Sequence, residues 1–115
     1  MKLVYLDTCE NRKMINAIAS AKIFETEDDL KSYFKEEGYR SIDISSIGYK
    51  SKDICDEDIV EVWGLTTDGE SKMLGKIIRV MDEKKFKKSI TKWNKKNQEL
   101  YIDQFKSINT WIESM

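Results

Sequence analysis

The side chains whose spacing could do chemistry are lysines. Lys84, Lys88, Lys92 and Lys96 recur every four residues, Lys85 and Lys95 fall near the same side of a helix, and Phe86, Ile90 and Trp93 fall opposite. Each like-charged pair at that spacing destabilises a helix by roughly 0.2–0.5 kcal/mol. An anion that offsets the repulsion is therefore the functional expectation, either an acidic protein surface or a nucleic acid. The simpler reading, and the preferred one, is the solvated face of an amphipathic helix, neutralised by acidic residues elsewhere in the chain. Only three basic residues are arginines, Arg12, Arg40 and Arg79. Planar bidentate recognition of phosphate or guanine favours arginine, so sequence-specific nucleic-acid readout loses ground.

The other reactive groups are sparse. With no histidine in the chain, Ser-His-Asp and Cys-His catalysis, histidine metal ligation and an imidazole switch are all excluded. Cys9 and Cys55 are too far apart in sequence for a CxxC motif and read as reduced, half-buried small hydrophobes. The acidic run Asp53, Asp56, Glu57 and Asp58 lacks the alternating ligands, central glycine and terminal glutamate of an EF-hand loop. It reads as a solvated loop or as a negative patch that meets a basic protein surface. With Glu25, Glu27, Asp28, Asp29, Glu36 and Glu37 it would present a partly nucleic-acid-like surface. Glu70-Ser71-Lys72 matches the E-x-K of metal-dependent nucleases, with Asp56 or Asp58 upstream, but it sits at the tip of a tight turn rather than along a strand. No catalytic, cofactor-binding or metal-binding residue is assigned. A small enzyme would require carboxylate or thiol chemistry.

These groups must be positioned by an α+β fold, an antiparallel sheet of about four or five strands packed by a helix in the N-terminal half and by one long or two short C-terminal helices. Residues 2–6 read as a strand and 10–13 as a turn. Residues 14–24 are ambiguous: the alanines favour helix, while Ile15, Ala17, Ala19, Ala21 and Ile23 share a face at period two, and the strand is preferred, completing an N-terminal hairpin. Thr26 and Asp29 form a capping box for a helix over 26–37, with Leu30, Tyr33 and Phe34 as its buried stripe, Gly38 at the left-handed position and Tyr39 packing back on Phe34. Ile42, Ile44, Ile47 and Tyr49 alternate with a slip at Ser45-Ser46, the mark of a bulged strand. Residues 51–58 read as a loop. Strands over 59–66 and 73–81 flank Asp68-Gly69, a hairpin signal, and their two apolar faces place them in mid-sheet. From Asp82 onward Phe86, Ile90, Trp93, Leu100, Tyr101, Ile108, Trp111, Ile112 and Met115 project along one line, as one helix or as two broken near Asn94–Asn97. The tryptophans read as core, with Trp111 and Met115 as the exceptions.

Residues 1–115 read as one domain, since no linker, repeat or low-complexity tract divides them. A chain of this size can bury about two-thirds of its surface without metal or disulfide staples. Twenty basic residues against 21 acidic ones give a net charge of -1. That balance hides a segregation, with a net of -7 over residues 1–70 and +6 over 71–115. The first apolar run has four residues, Leu3 to Leu6, short of a signal sequence, and none approaches 18, so the chain is expected to be cytoplasmic with no membrane partner.

The stretch KLVYLDTC, ENRK, MINAIASAKIF, ETEDDLKSYFKEEGY resembles the hairpin-then-helix opening of small accessory proteins from phages and mobile elements, with Phe24, Thr26 and Leu30 entering the helix. It spans about a third of the chain. In its Lys/Glu/Ile-rich composition the chain is similar to anti-defence inhibitors such as anti-CRISPR proteins, and to toxin-immunity proteins. The resemblance implies a non-enzymatic protein that inhibits or regulates a larger protein or ribonucleoprotein by charge-complementary docking, without a cofactor. The candidate docking residues are Lys84, Lys85, Lys88, Lys92, Lys95 and Lys96, together with Asp53, Asp56, Glu57 and Asp58. A nucleic-acid-binding accessory protein using the lysines is the second expectation. A homodimer built on the C-terminal apolar stripe is a further one.

Overall fold

In a computed structural model of the chain, residues 2–7, 14–50 and 57–115 are described, without the side chains of Met14, Tyr49 and Lys50. The turn expected at 10–13, both cysteines, Asp53, Asp56 and most of the 51–58 loop lie outside these residues. Strand β1 (Lys2–Asp7) shows how the sheet is built. Its alternation sends Leu3 and Tyr5 to one face and Val4 and Leu6 to the other, and all four are buried. Such a strand needs cover on both sides. Strands β2 (Lys22–Phe24), β3 (Ser41–Lys50), β4 (Asp58–Leu65) and β5 (Ser71–Val80) complete an antiparallel sheet in the order β2-β1-β5-β4-β3. The two strands expected in mid-sheet, β4 and β5, do lie inside it, as does β1. Strands β4 and β5 are joined through Asp68-Gly69, where Gly69 takes φ +87°.

The β4–β5 ladder carries a bulge. Val62 pairs with Gly75 but Trp63 pairs with Met73, which leaves Leu74 as the extra residue on β5. Leu74 and the open side of Gly75 then face the same way, toward Tyr5. A Cβ at position 75 would stand 2.4 Å from the Leu6 carbonyl oxygen and 2.8 Å from the Tyr5 ring, so the site admits only glycine. The space is taken by the Tyr5 phenol, whose hydroxyl donates to the Leu74 carbonyl at 2.6 Å. Strand β3 carries the expected second irregularity, a register shift between Ile44 and Gly48.

Helix α2 (Glu27–Glu36) follows its punctuation. Thr26 Oγ1 accepts from the Asp29 amide at 3.1 Å. Gly38, at φ +105°, and Tyr39 send their amides back to the Lys35 and Phe34 carbonyls, a Schellman ending, and the Phe34 and Tyr39 rings meet edge to face at 6.1 Å. Leu30 and Phe34 pack with Leu3, Tyr5, Val60, Val62, Leu74 and Ile77 on one face of the sheet.

Residues 14–24 correct the sequence reading. They form a short helix, α1 (Met14–Ala19), followed by β2, rather than one strand. The helix buries Ile15, Ala17 and Ile18, so the period-two pattern at these positions was coincidental. Contacts made far along the chain hold it: Trp111 Nε1 donates to the Ile18 carbonyl at 2.8 Å and Gln104 Nε2 to Asn16 Oδ1 at 2.9 Å. The expected pairing survives at its end, with Leu3 opposite Phe24.

After Val80 come helices α3 (Glu83–Lys96) and α4 (Ile102–Ser114). Asp82 Oδ1 caps α3 by accepting from the Lys85 amide. The break falls at residues 97–101, slightly beyond the expected Asn94–Asn97, and it resets the helical phase. Leu100, projected into the buried stripe, is consequently 81% exposed. Asn94, buried between the two helices, donates through Nδ2 to the Phe105 carbonyl and to Asn109 Oδ1. Helices α1, α3 and α4 cover the second face of the sheet, where Phe86, Ile90, Ile108, Trp111 and Ile112 meet Val4, Leu6, Ile59, Ile78 and Val80. Trp111 is thus core, contrary to expectation, and Trp63 is the exposed tryptophan.

Candidate lysine docking face

Helix α3 forms because it is amphipathic. Phe86 and Ile90 are fully buried against the sheet, Trp93 is half-buried, and the positions opposite them are free to carry charge. Lys84, Lys85, Lys88, Lys92, Lys95 and Lys96 are all exposed. At 100° per residue they fall within an arc of about 120°, and from Lys84 to Lys96 they run about 18 Å along the axis. Glu83 in the first turn and Lys95 and Lys96 in the last complement the helix dipole. Among the described residues no ion pair holds Lys84, Lys88, Lys92, Lys95 or Lys96, whereas Lys2 pairs with Glu25 and Glu83, and Arg79 with Glu27.

Among the described residues, the main acidic helix does not neutralise this face locally. Helix α2 brings Glu27, Asp28, Asp29 and Glu36, with Glu25 and Glu37 flanking it, to the opposite face of the sheet from α3. The segregation along the sequence becomes a segregation across the sheet, with a net of -4 over residues 25–37 and +6 over α3. The carboxylates of α2 therefore do not cancel the field of the lysine face.

The remaining candidates are not brought together with this face. Glu57 precedes β4 and the exposed Asp58 opens it, paired in register with Lys50, and neither forms an ion pair with an α3 lysine among the described residues. Asp53 and Asp56 lie outside the described residues. The E-x-K reading is corrected by the hairpin geometry. Ser71 pairs with Leu65 at one end of β4 while Asp58 lies at the other, about 23 Å away along the strand. Glu70 is held in the turn, its amide donating to Thr66 Oγ1. Among the described residues no cluster of three or more acidic or cysteine side chains could hold a metal ion, and no helix is long and apolar enough to cross a membrane.

Two features were missed in the sequence. Lys87 and Thr91 sit on the flank of α3 that turns toward α4, where they line a groove with Ile112; only the position of the helix break could have revealed that flank. On the other face of the sheet Tyr5, Tyr33, Phe34 and Tyr39 line a cavity of about 390 Å³. Burial, with the Asp7 carboxylate adding to it, pushes the Tyr5 phenol well above its ordinary range. Tyr33 accepts a hydrogen bond from Lys22. The tyrosines themselves were the available signal, but their convergence depends on the Gly75 bulge. No protein-family model, curated protein or solved structure matches the chain.

Proposed function

We propose that the chain is a non-enzymatic binding protein that regulates or inhibits a larger protein or ribonucleoprotein, docking the lysine face of α3 on an acidic surface. One observation carries the reading: six exposed lysines share one arc of a helix, and the chain's main acidic helix lies across the sheet from them. A helix that repels itself is stabilised when an anion covers it, so the self-repulsion becomes part of the binding energy. Charge complementarity of this kind gives fast association and steep salt dependence. An anti-defence role, of the kind played by the inhibitors that the chain resembles in composition, would use such docking.

The test is affinity capture from the source cell at low and moderate salt. The bait is the wild-type protein beside a variant carrying Glu at 84, 88, 92, 95 and 96. A specific protein or ribonucleoprotein is expected with the wild type at low salt, reduced at moderate salt and absent with the variant. Equal recovery by both baits would sink the proposal.

A further inference from the structure

Beside the exposed arc, α3 and α4 flank a shallow, open groove of about 480 Å³. Lys87, Lys88, Lys92 and Lys95 line it from α3 with Thr91 between them, and Ile112 and Glu113 line it from α4. Four cations face one carboxylate, so the groove calls for an anion. Ile112 lies beneath it, almost wholly buried, and the alkyl stems of the lysines make part of its surface apolar, so it also calls for an apolar group. No aromatic ring lines it, and nucleobases would have nothing to stack on. Among the described residues no guanidinium lines it either, and phosphates would lack the planar fork that binds them bidentately. Carboxylates suit lysines as point charges. Lys88 and Lys92 are separated by about 6 Å along the axis, the same rise that separates carboxylates four residues apart on another α-helix.

We infer that this groove receives an acidic amphipathic helix from a protein partner, with aliphatic side chains against the lysine stems and Thr91 and carboxylates on Lys88, Lys92 and Lys95. This is the helix-in-groove mode of recognition. The inference rests on the docking role proposed for α3 and names the chemistry of what docks there.

The test uses three labelled probes in fluorescence anisotropy with the full chain at low salt. They are a peptide of about 16 residues repeating Glu-Leu-Ala-Ala, the same peptide with Ser in place of Leu, and an oligouridine of similar charge. The Glu-Leu peptide is expected to bind at least about tenfold more tightly than the Glu-Ser peptide and the oligouridine. Binding should be lost in K88E/K92E/K95E. Thr91→Gln places a longer polar side chain in the groove without changing the charge of the lysine arc, and it should reduce the preference for leucine while the chain stays folded by circular dichroism. Equal binding of the two peptides, both lost in the lysine variant, would overturn the groove while leaving the lysine face standing. Tighter binding of the oligouridine would overturn the acidic-helix partner in favour of nucleic acid. Failure of all three probes would overturn the inference and count against the lysine face as well.

Discussion

Lys88 has Lys84 one turn before it and Lys92 one turn after it, and all three are exposed on α3. Replacing Lys88 by Glu turns two repulsive i,i+4 pairs into attractive ones. Each pair moves from roughly 0.2–0.5 kcal/mol unfavourable to a similar amount favourable, so the substitution stabilises the free protein by about 1–2 kcal/mol at low ionic strength. In a domain of this size that raises Tm by about 4–8 °C. Ordinary surface substitutions stay within about 0.5 kcal/mol, so the effect stands clear of them. At about 1 M salt the screening length falls to about 3 Å, half the spacing of the pairs, and the gain should vanish. The assay is thermal melting followed by circular dichroism at about 20 mM and about 1 M salt. A surface kept for binding should thus become more stable as it loses its partner. An unchanged or lower Tm for Lys88→Glu at low salt would refute the reasoning, because it would mean that the lysine arc is not self-repulsive in the free protein.

Three further outcomes follow from the packing. Gly75→Ala should cost about 3 kcal/mol or more in urea unfolding, because its Cβ has nowhere to go but onto the Leu6 carbonyl and the Tyr5 ring; Gly38→Ala, with φ +105° but open space around it, should cost only about 1–2 kcal/mol. Asn94→Ala, which leaves the Phe105 carbonyl and Asn109 without their donor, should lower stability by about 1–3 kcal/mol in the same assay. Burial and Asp7 raise the Tyr5 pKa in the folded protein, so the unfolded chain releases this proton first, from about pH 10. The stability contributed by the protonated phenol is present below pH 10 and is lost as pH rises past it. Denaturant titrations from about pH 8 to pH 11 should therefore decline more steeply for the wild type than for Tyr5→Phe, and parallel curves would contradict the assignment.

What was legible in the sequence was what local chemistry dictates. Thr26 and Gly38 bound a helix because a hydroxyl satisfies free amides and only glycine accepts the left-handed turn cheaply. Asp68-Gly69 closes a hairpin for a related reason, and the four-residue repeat of lysines puts them on one face of any helix. What was not legible depended on distant partners. Residues 14–19 become helical because Trp111 and Gln104 reach them from α4, and no periodicity within the segment carries that information. Leu100 fell out of the apolar stripe because a break over five residues changes the helical phase. Trp63 and Trp111 exchanged their expected places: the three helices cover the sheet face beneath Trp111, and Trp63 points from a part of β4 that they leave open, its indole nitrogen donating to Glu61. The placement of the acidic helix across the sheet from the lysines is a consequence of topology, and it is the observation on which the docking face most depends.

That face is tested most directly by lysine footprinting. The complex recovered from the source cell and the free protein are acetylated briefly, and the modification of each lysine is read by mass spectrometry. Exposed Lys35 on α2 and Lys106 on α4 serve as internal references. Lys84, Lys88, Lys92, Lys95 and Lys96 are expected to lose most of their reactivity in the complex while Lys35 and Lys106 keep theirs. Unchanged reactivity along α3 in a stable complex would contradict the account.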